Sequence, residues 1–447
     1  MNIKNHIAAL TVFLFTSLEL SAQTISLEQA RTLTLANSRS LAKYNLSLRS
    51  SILDEKNQLY TMLPSLSAGY NASMNYLNKD WEFVNPVDTL SAGLDFSITQ
   101  KIFEGGKTFI QMAIRKIETE SVRNDAMAEY FNVLDSADNA YYAVLEAAAT
   151  LEAEESTLKS SLASLAIAEI RQSSGMINQG DFLKAMADKE ARENSRNQAR
   201  RNLSLSITKF KALAGLAGTP ELEQIDFDGY GDLIQRLAGI SDEDADALYN
   251  RFWNILAASN PSLTRAALNS QRAEKNLSLA KRDYSPIVSA TIFSTNVHYA
   301  APSTFGSSSG GGITIRGSIP LDFWVMNNRI EKSKIARDST ALDYISTEVN
   351  LETDLQSALL NVLAYSGSVL SSRRSLEYAE KHFEFVMERY RLSQSSISDL
   401  GDAATLLINN RNSHIRARYG FLQSLSRLRS LGAIDDEDRL IRILSGY

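Results

Sequence analysis

One stretch of the sequence limits the possible folds more than any other, because there is neither glycine nor proline between Lys107 and Ser174. These two residue types are the usual interruptions of a helix, so their absence predicts a single helix about 100 Å long at ~1.5 Å per residue. Apolar residues in it alternate between spacings of three and four, which predicts a coiled-coil seam with Glu155 as its polar exception. The seam consists of Leu134, Ala137, Tyr141, Val144, Ala148, Leu151, Leu158, Leu162 and Leu165.

The second half of the chain repeats the organisation of the first half. Ser40-Leu41 matches Ser262-Leu263 and Pro64 matches Pro286 at one constant offset (262 − 40 = 286 − 64). A second long helix is predicted from Arg329 to Leu392, with only Gly367 inside it. The constant offset indicates a tandem duplication in which each half contains a helix, a hairpin of strands and a very long helix.

Each long helix ends at a turn, and a returning helix follows. Gly175, Asp181 and Ala185 have the same spacing as Ser393, Asp399 and Ala403 (181 − 175 = 399 − 393 and 185 − 181 = 403 − 399). The first returning helix is predicted to start at Asp181 and to end at Ala214. Each half therefore contains a long helical hairpin with a sharp tip.

Four segments alternate between apolar and polar residues, which predicts strands. They are Ser65 to Tyr76, Thr89 to Thr99, Ile287 to Ala300 and Ile313 to Phe323, with a bulge expected near Ile292-Phe293 and exposed loops at 78–88 and 301–312. One face carries Leu66, Tyr70, Leu94, Phe96 and Ile315, and the other carries Asn71, Ser73, Asp95 and Arg316. The alternation alone fits either lipid or a protein core on the apolar side.

The N-terminus resembles a secretory signal peptide. Lys4 precedes an apolar run from Ile7 to Leu18, and the small residues Ser21-Ala22 follow. The alternative is a membrane anchor, for which this run is short. No later segment has the ~18 to 20 apolar residues of a membrane helix, so any later crossing is expected to use strands.

The first helix of the mature chain is predicted from Leu27 to about Met62. Ser26 and Gln29 have the spacing of a capping box, and Pro64 ends the helix.

Composition argues against several classes of function. A formal charge of −6 without a concentrated basic face gives no reason to expect a nucleic-acid partner, and the absence of cysteine excludes disulfides and cysteine metal sites. The four histidines lie on separate elements and form no metal-site pattern: His6, His298, His382 and His414. No nucleophile elbow or phosphate loop is found, so we expect no catalytic residues and no cofactor.

Three pairs of motifs resemble the TolC family of outer-membrane efflux channels across essentially the whole mature chain. They are the helix starts SLEQARTLTLANSRSL and SDEDADALYNRFWNILAASNPSL, the strand exits SITQKIFEGGKT and SIPLDFWVMNNR, and the turns GMINQGDFLKA and ISDLGDAATLL. The resemblance implies a homotrimer in which each protomer contributes four strands to one transmembrane barrel, continued by a periplasmic tunnel of helices. Four strands cannot close into a barrel alone, whereas about twelve strands can. With a shared barrel, the apolar faces of the strands are expected to contact lipid.

The predicted fold class is a mixed α and β membrane protein with tandem long helical hairpins and four strands per protomer. The predicted segments are 1–22 (signal peptide), 23–63 (first short helix), 64–103 (first strand hairpin), 104–214 (first long hairpin), 215–240 (equatorial or linker region), 241–285 (short helices of the second repeat), 286–324 (second strand hairpin), 325–432 (second long hairpin) and 433–447 (C-terminal tail).

The resemblance also assigns roles at the two turns. Asp399 and Asp402 match aspartates that ring the closed periplasmic entrance, and Tyr390 matches a tyrosine that helps to hold it shut. Ser395 stands where relatives carry a locking arginine, and Arg391 is the candidate substitute.

Some of these residues can also be interpreted as having a purely structural role. Asp181 is interpreted as a helix N-cap, which is also the alternative for the other two aspartates. Aromatic residues near the strand ends are candidates for interfacial girdles, with local loop packing as the alternative for Trp81: Tyr76, Trp81, Phe83, Phe103, Phe323 and Trp324.

The function implied by the resemblance is the exit of small molecules through the outer membrane. The expected partners are a periplasmic adaptor protein, an inner-membrane transporter and outer-membrane lipid. One alternative is the exit duct of a type I protein secretion system. An alternative from another class is a soluble periplasmic coiled-coil scaffold, which would stay in the soluble fraction without detergent.

Overall fold

The computed structural model describes residues 24–73, 81, 83, 91–301 and 304–446. The predicted signal peptide and Tyr76 lie outside the described residues. The chain divides into two units, each described by itself. The first comprises Met1–Lys43, Ala126–Pro261 and Glu348–Tyr447, and the second comprises Tyr44–Asp125 and Ser262–Thr347.

Helices make up most of the described chain. They are α1 (Leu27–Asn37), α2 (Arg39–Tyr60), α3 (Lys107–Ser173), α4 (Gln179–Ala214), α5 (Gly231–Ala238), α6 (Asp242–Ser259), α7 (Pro261–Lys281), α8 (Phe323–Arg391), α9 (Ile397–Leu431) and α10 (Glu437–Leu444), with short 3₁₀ turns at Asp228–Tyr230 and Arg282–Tyr284. Within the described ranges, none of these helices combines the length and the apolarity that a membrane-spanning helix needs.

The long helices agree with the sequence prediction, whereas the first short helix does not. Helix α3 has 67 residues and α8 has 69, and α8 begins six residues before the predicted Arg329 (329 − 323). The segment expected to be one helix from Leu27 to Met62 is two helices, because Ser38 adopts an extended conformation with ψ 109°. The Ser38 Oγ accepts a hydrogen bond from the Leu41 N–H at 3.2 Å, so this serine starts α2 while it ends α1.

The four strands form one antiparallel sheet in the order β1-β2-β3-β4: β1 (Ser65–Ser73), β2 (Ser91–Phe103), β3 (Ile287–Ala301) and β4 (Thr304–Ser318). The loop predicted at 301–312 is wrong, because its residues from Thr304 onward pair with β3 throughout. Its glycines and serines are poor strand formers, but the backbone of β3 supplies hydrogen-bond partners along its length.

The predicted bulge is also misplaced. The pairing of β3 with β4 is regular through Ile292 and Phe293, and the register shift lies in β2 between Lys101 and Phe103. Phe293 pairs with Gly312, and a Cβ built on that glycine would lie 3.4 Å from the phenylalanine ring. The Phe293 ring covers the space beside Gly312, which has no side chain. An aromatic residue is therefore accommodated at this position, where the alternation of the sequence is disturbed.

The predicted seam of α3 is confirmed in its first part only. Leu134, Ala137, Tyr141 and Val144 are buried. Further along, the buried face consists of small and polar residues, and Leu162 is 46% exposed in the single chain. The buried positions there are Thr157, Ser161, Ser164, Ala168 and Arg171. In this half of α3, Leu162 therefore lies off the face that the helix buries against its own chain, while Leu165 is partly buried against it.

A network of buried charged groups ties together the ends of the first unit. Asp138 is fully buried and accepts hydrogen bonds from Arg31 Nε at 2.6 Å and Arg429 Nη2 at 2.8 Å. Arg31 also pairs with Glu437 of α10 at 3.1 Å, and the Tyr230 hydroxyl donates to the same carboxylate at 2.6 Å. The segment predicted as a C-terminal tail thus contains a helix that is fixed by ion pairs.

Candidate functional site at the hairpin turns

The first hairpin turn closes through a glycine in the left-handed region. Gly175 has φ 71°, the Met176 N–H donates to the Arg171 carbonyl at 2.8 Å, and the Gly175 N–H donates to the Gln172 carbonyl at 2.9 Å. This pair of hydrogen bonds is the Schellman motif that ends many helices. Glycine suits the position because it has no Cβ to clash in this conformation.

The second turn has the same motif without glycine. Ser393 has φ 64°, the Gln394 N–H donates to the Arg389 carbonyl at 2.8 Å, and the Ser393 N–H donates to the Tyr390 carbonyl at 3.1 Å. A serine in the left-handed region costs on the order of 1 kcal/mol. Gly175 and Ser393 therefore occupy equivalent positions, and only the second carries backbone strain.

The returning helices start with different caps. Asn178 caps α4 by accepting the Asp181 N–H at 2.9 Å, so the interpretation of Asp181 as the N-cap is wrong, since α4 begins earlier, at Gln179. Ser396 caps α9 in a reciprocal box with Asp399, with bonds of 3.1 and 3.0 Å. Hydrogen bonds from Ser396, led by its backbone N–H, hold the pKa of the Asp399 carboxyl below its usual range.

Both candidate gate aspartates are exposed on α9. Asp399 and Asp402 are one helical turn apart, so they lie on the same side of the helix, while Leu400 and Ala403 are buried. Asp402 forms no ion pair with any residue that the structure describes. Both side chains therefore lie on the exposed side of α9, and the Asp399 carboxylate also accepts hydrogen bonds from its own turn.

Behind the turns, four helices meet in a compact apolar cluster. It includes residues of α3, α4, α8 and α9, so it joins the first hairpin to the second: Ala168, Ala185, Val386, Tyr390, Ile397, Leu400 and Ala403. Tyr390 is the largest side chain of the cluster and is 1% exposed. We call this set the tip cluster.

Arg171 of α3 contacts Tyr390 of the tip cluster, and sequence reasoning missed this contact. Its guanidinium lies 4.4 Å from the centroid of the Tyr390 ring, and its Nη2 donates to the Tyr390 carbonyl. The Tyr390 hydroxyl is buried without a hydrogen-bond partner among the described residues, and burial raises the pKa of this hydroxyl. The only signal in the sequence was a basic residue in the last turn of α3, where it is favoured by free carbonyls.

The substitute proposed for the family arginine does not take that role. Arg391 pairs with Glu388 of its own helix at 3.6 Å, and both side chains are exposed. Ser395 Oγ donates to Asp399 Oδ2 at 3.2 Å, within its own turn. Near the turns, polar contacts from the first hairpin to the second include Arg171 to the Tyr390 carbonyl, Lys184 to Ser398 Oγ, and Arg192 to Thr405 Oγ1 at 2.9 Å.

The sheet separates the other predicted site residues onto its two faces. Tyr70 pairs with Leu94, and the apolar side chains are exposed in the single chain, with Leu66 79%, Phe96 54% and Ile315 71% exposed. On the opposite face Asn71 pairs with Gly93, and Gly69 pairs with Asp95. Arg316 pairs with Ser289. The registers therefore keep the two predicted sets apart, as strand geometry requires.

No group of carboxylates and histidines within the described ranges could hold a metal ion. His414 is half-buried and its Nδ1 contacts Ser372 Oγ at 3.1 Å, while burial, with nearby arginines, lowers its pKa.

Comparison with known proteins identifies a similar chain and similar folds. The chain is 20% identical over 402 residues to the outer membrane protein TolC of Escherichia coli (strain K12), which covers 85% of this chain and 76% of that protein. Its fold is similar to the solved structures of CusC, with TM-score 0.76 and 15% identity over 94% of this chain and 95% of that one, and of VceC from Vibrio cholerae, with TM-score 0.73 and 16% identity over 91% and 96%. The predicted fold class is thereby confirmed.

A family comparison assigns the chain. The model of the family described as outer membrane efflux protein matches residues 30–216 and 253–433, which together form most of the two repeats. The chain therefore belongs to the outer membrane efflux protein family, and it serves in the outer membrane, with a helical tunnel in the periplasm, as the exit duct of an efflux system.

Proposed function

We propose that three copies of the chain assemble into one channel whose barrel contains twelve strands. The observation that carries this proposal is the sheet order, which leaves β1 and β4 each with one unpaired edge among the described strands. Unpaired backbone groups are costly in lipid, and about eight strands is the smallest workable barrel. Pairing β4 of one copy with β1 of the next removes every edge and places the predicted apolar set, with Leu66 and Ile315, against lipid.

A stripe of exposed apolar residues on α8 supports the same assembly. Within the first unit its members recur at intervals of eleven, eighteen and seven residues (360 − 349 = 11, 378 − 360 = 18 and 385 − 378 = 7), which keeps them on one side of a helix. They are Val349, Leu360, Tyr378 and Phe385, and each is more than half exposed in the single chain. A second copy packed along this stripe would bury it.

The hairpin tips would then form the periplasmic entrance. Three copies of Asp399 and Asp402 place six carboxylates around the mouth, and these attract cations rather than hold the entrance closed. At ~7 Å two carboxylates in water repel by only ~0.6 kcal/mol, so closure depends on packing in the tip cluster. Arg171, through its contact with Tyr390, takes the place of the arginine that Ser395 replaces.

The cargo is proposed to be small molecules, delivered by an inner-membrane transporter through a periplasmic adaptor that docks on the helical hairpins. Within each protomer, the predicted strand segments 64–103 and 286–324 would form the barrel. The predicted hairpins 104–214 and 325–432 would form the helical tunnel. Export of a protein by a type I system would use the same duct. Family membership argues against the remaining alternative, a soluble scaffold. The exposed apolar faces of the strands argue against it as well.

Two measurements test the proposal. Mass determination in mild detergent is expected to give three copies, and a stable monomer would contradict the shared barrel. Cells that lack the protein are expected to accumulate a fluorescent dye that an inner-membrane pump exports, and the wild-type chain should restore its efflux. Restored secretion of a protein substrate without restored dye efflux would instead support the type I system.

A further inference from the structure

A junction in the second unit carries exposed cations without partners. Lys281 is the last residue of α7, and Arg282 begins the short turn that leads into β3. Both side chains are exposed, and neither pairs with a carboxylate in the part of the chain that the structure describes. Exposed cations often lie on helix surfaces without a role, so the surroundings decide what these two residues do.

The neighbouring carboxylate is already neutralised by other cations. Asp283 pairs with Lys107 at 2.8 Å and with Arg329 at 2.6 Å, which ties the starts of α3 and α8 to the end of α7. Asp322 is a second carboxylate here, since it acts electrostatically on Arg329. The junction therefore holds four cations and two carboxylates, a net charge of +2 (4 − 2): Lys107, Lys281, Arg282 and Arg329 against Asp283 and Asp322. The positive charge of Lys281 and Arg282 is therefore not balanced within the junction.

The turn that bears these cations is fixed against exposed aromatic residues. The Tyr284 hydroxyl donates to Asn327 Oδ1 at 2.7 Å, and its ring stacks on Phe323 with centroids 6.1 Å apart. Trp324, the next residue, is 70% exposed, and Phe323 is 48% exposed. Tryptophan at the boundary of a membrane protein typically lies at the level of the lipid headgroups.

All four strands join helices at this end of the sheet, so a barrel of these strands would place the junction at the periplasmic surface of the membrane. We propose that the junction binds the headgroup of an anionic phospholipid, with Lys281 and Arg282 on the phosphate and Trp324 in the interfacial layer. Arginine and lysine are suited to phosphate oxygens, and basic residues next to an anionic membrane surface strengthen its binding. The inference rests on the proposed barrel but not on the identity of the cargo.

For the test, the full chain is reconstituted into vesicles of phosphatidylcholine alone or with phosphatidylglycerol. The protein is then extracted in mild detergent, and mass spectrometry identifies the lipids that it retains. The wild-type protein is expected to retain phosphatidylglycerol in preference to phosphatidylcholine. Changing Lys281→Gln and Arg282→Gln together should lower that preference roughly tenfold, since each cation near an anionic surface contributes measurably to binding. The matched control, Arg200→Gln with Arg201→Gln, removes the same charge from exposed positions of α4 and should leave the preference unchanged.

The outcomes separate this inference from the proposal it depends on. Equal loss of phosphatidylglycerol in both double variants would show a general charge effect and overturn the site, as would displacement of the lipid by an excess of inorganic phosphate. A protein that inserts into vesicles but shows no headgroup preference would refute the site alone. A protein that fails to insert into either vesicle would refute the barrel and the site together.

Discussion

The two hairpin turns share one backbone design but differ in the residues that fulfil it. Both close with the same pair of hydrogen bonds, yet Gly175 adopts its conformation without a Cβ while Ser393 adopts it under strain. The second turn has additional support, from the reciprocal cap between Ser396 and Asp399 and from Arg389, whose Nη2 donates to the Gln394 carbonyl at 2.9 Å. Strain retained at a turn with this much support agrees with our proposal that the second turn, rather than the first, forms part of the periplasmic entrance.

The largest effect is expected from Tyr390→Ala, which would empty the centre of the tip cluster. Loss of a buried aromatic ring costs ~3–5 kcal/mol, and the Arg171 guanidinium loses its contact with that ring while its hydrogen bond to the backbone carbonyl of residue 390 remains. Hydrogen exchange of the second turn should increase, and conductance in planar bilayers should rise as the entrance loosens. Asn361→Ala on the same helix is the control, because that side chain is exposed and belongs neither to the tip cluster nor to the apolar stripe. Equal effects of the two changes would refute a special role for Tyr390.

The next effect concerns the carboxylates, and it compares the two turns directly. Replacing Asp399 and Asp402 with alanine should weaken block by a trivalent cation by about tenfold or more and reduce cation selectivity in bilayer recordings. Asp181 occupies in α4 the position that Asp399 occupies in α9, so Asp181→Ala is the matched control and should leave the block intact. Undiminished block in the double variant would mean that these aspartates only support the start of the helix.

A smaller effect, of opposite sign at the two turns, is expected from exchanging their left-handed residues. Gly175→Ala should destabilise the first turn by ~1 kcal/mol, since no atom lies within 4 Å of the added Cβ and only backbone strain is introduced. Ser393→Gly should stabilise the second turn by up to ~1 kcal/mol by relieving the same strain. Urea unfolding followed by local hydrogen exchange measures both. Destabilisation by Ser393→Gly would show that its side chain outweighs the strain.

The smallest effect is a dependence on pH at the second turn alone. The pKa of Asp399 is lowered in the folded chain from a usual value of 3.8, so its stabilising bonds are complete above that value and are lost as the pH falls through the lowered pKa. The first turn is capped by the amide of Asn178, which does not titrate in this range. Hydrogen exchange at acidic pH should therefore increase at the second turn only, and Asp399→Asn should remove the dependence.

The sequence was sufficient to predict features that follow from local rules. Pro64 and Gly175 indicate where helices end, and neither glycine nor proline interrupts the chain between Lys107 and Ser174. The long helices and the equivalence of the two turns could therefore be predicted. The strand faces followed from strict alternation. The split at Ser38 was missed because the serine that ends one helix also starts the next, which leaves no gap in the apolar pattern.

Other features depend on partners that are remote in sequence. The strand from Thr304 to Gly312 contains glycine and serine, and only pairing with β3 makes it regular. Arg171 contacts Tyr390 across 219 residues (390 − 171), a contact that no local spacing encodes. The leucines of the second part of α3 indicated a seam within the chain, whereas the chain buries Ser161 and Ser164 and leaves Leu162 outside. Periodicity shows that a helix has a face, but it does not identify the partner.

The buried Asp138 also constrains the order in which the molecule can fold. Its partners Arg31 and Arg429 are 107 and 291 residues away, and the contact between Arg31 and Glu437 spans 406 residues. Contacts at such separation close late, because a long loop must be ordered before they form. The core of the first unit therefore cannot be completed until the C-terminal helix has been synthesised and exported. Until Arg429 is in place Asp138 lacks part of its compensating charge, and until the C-terminal helix follows Arg31 lacks its second carboxylate partner, Glu437.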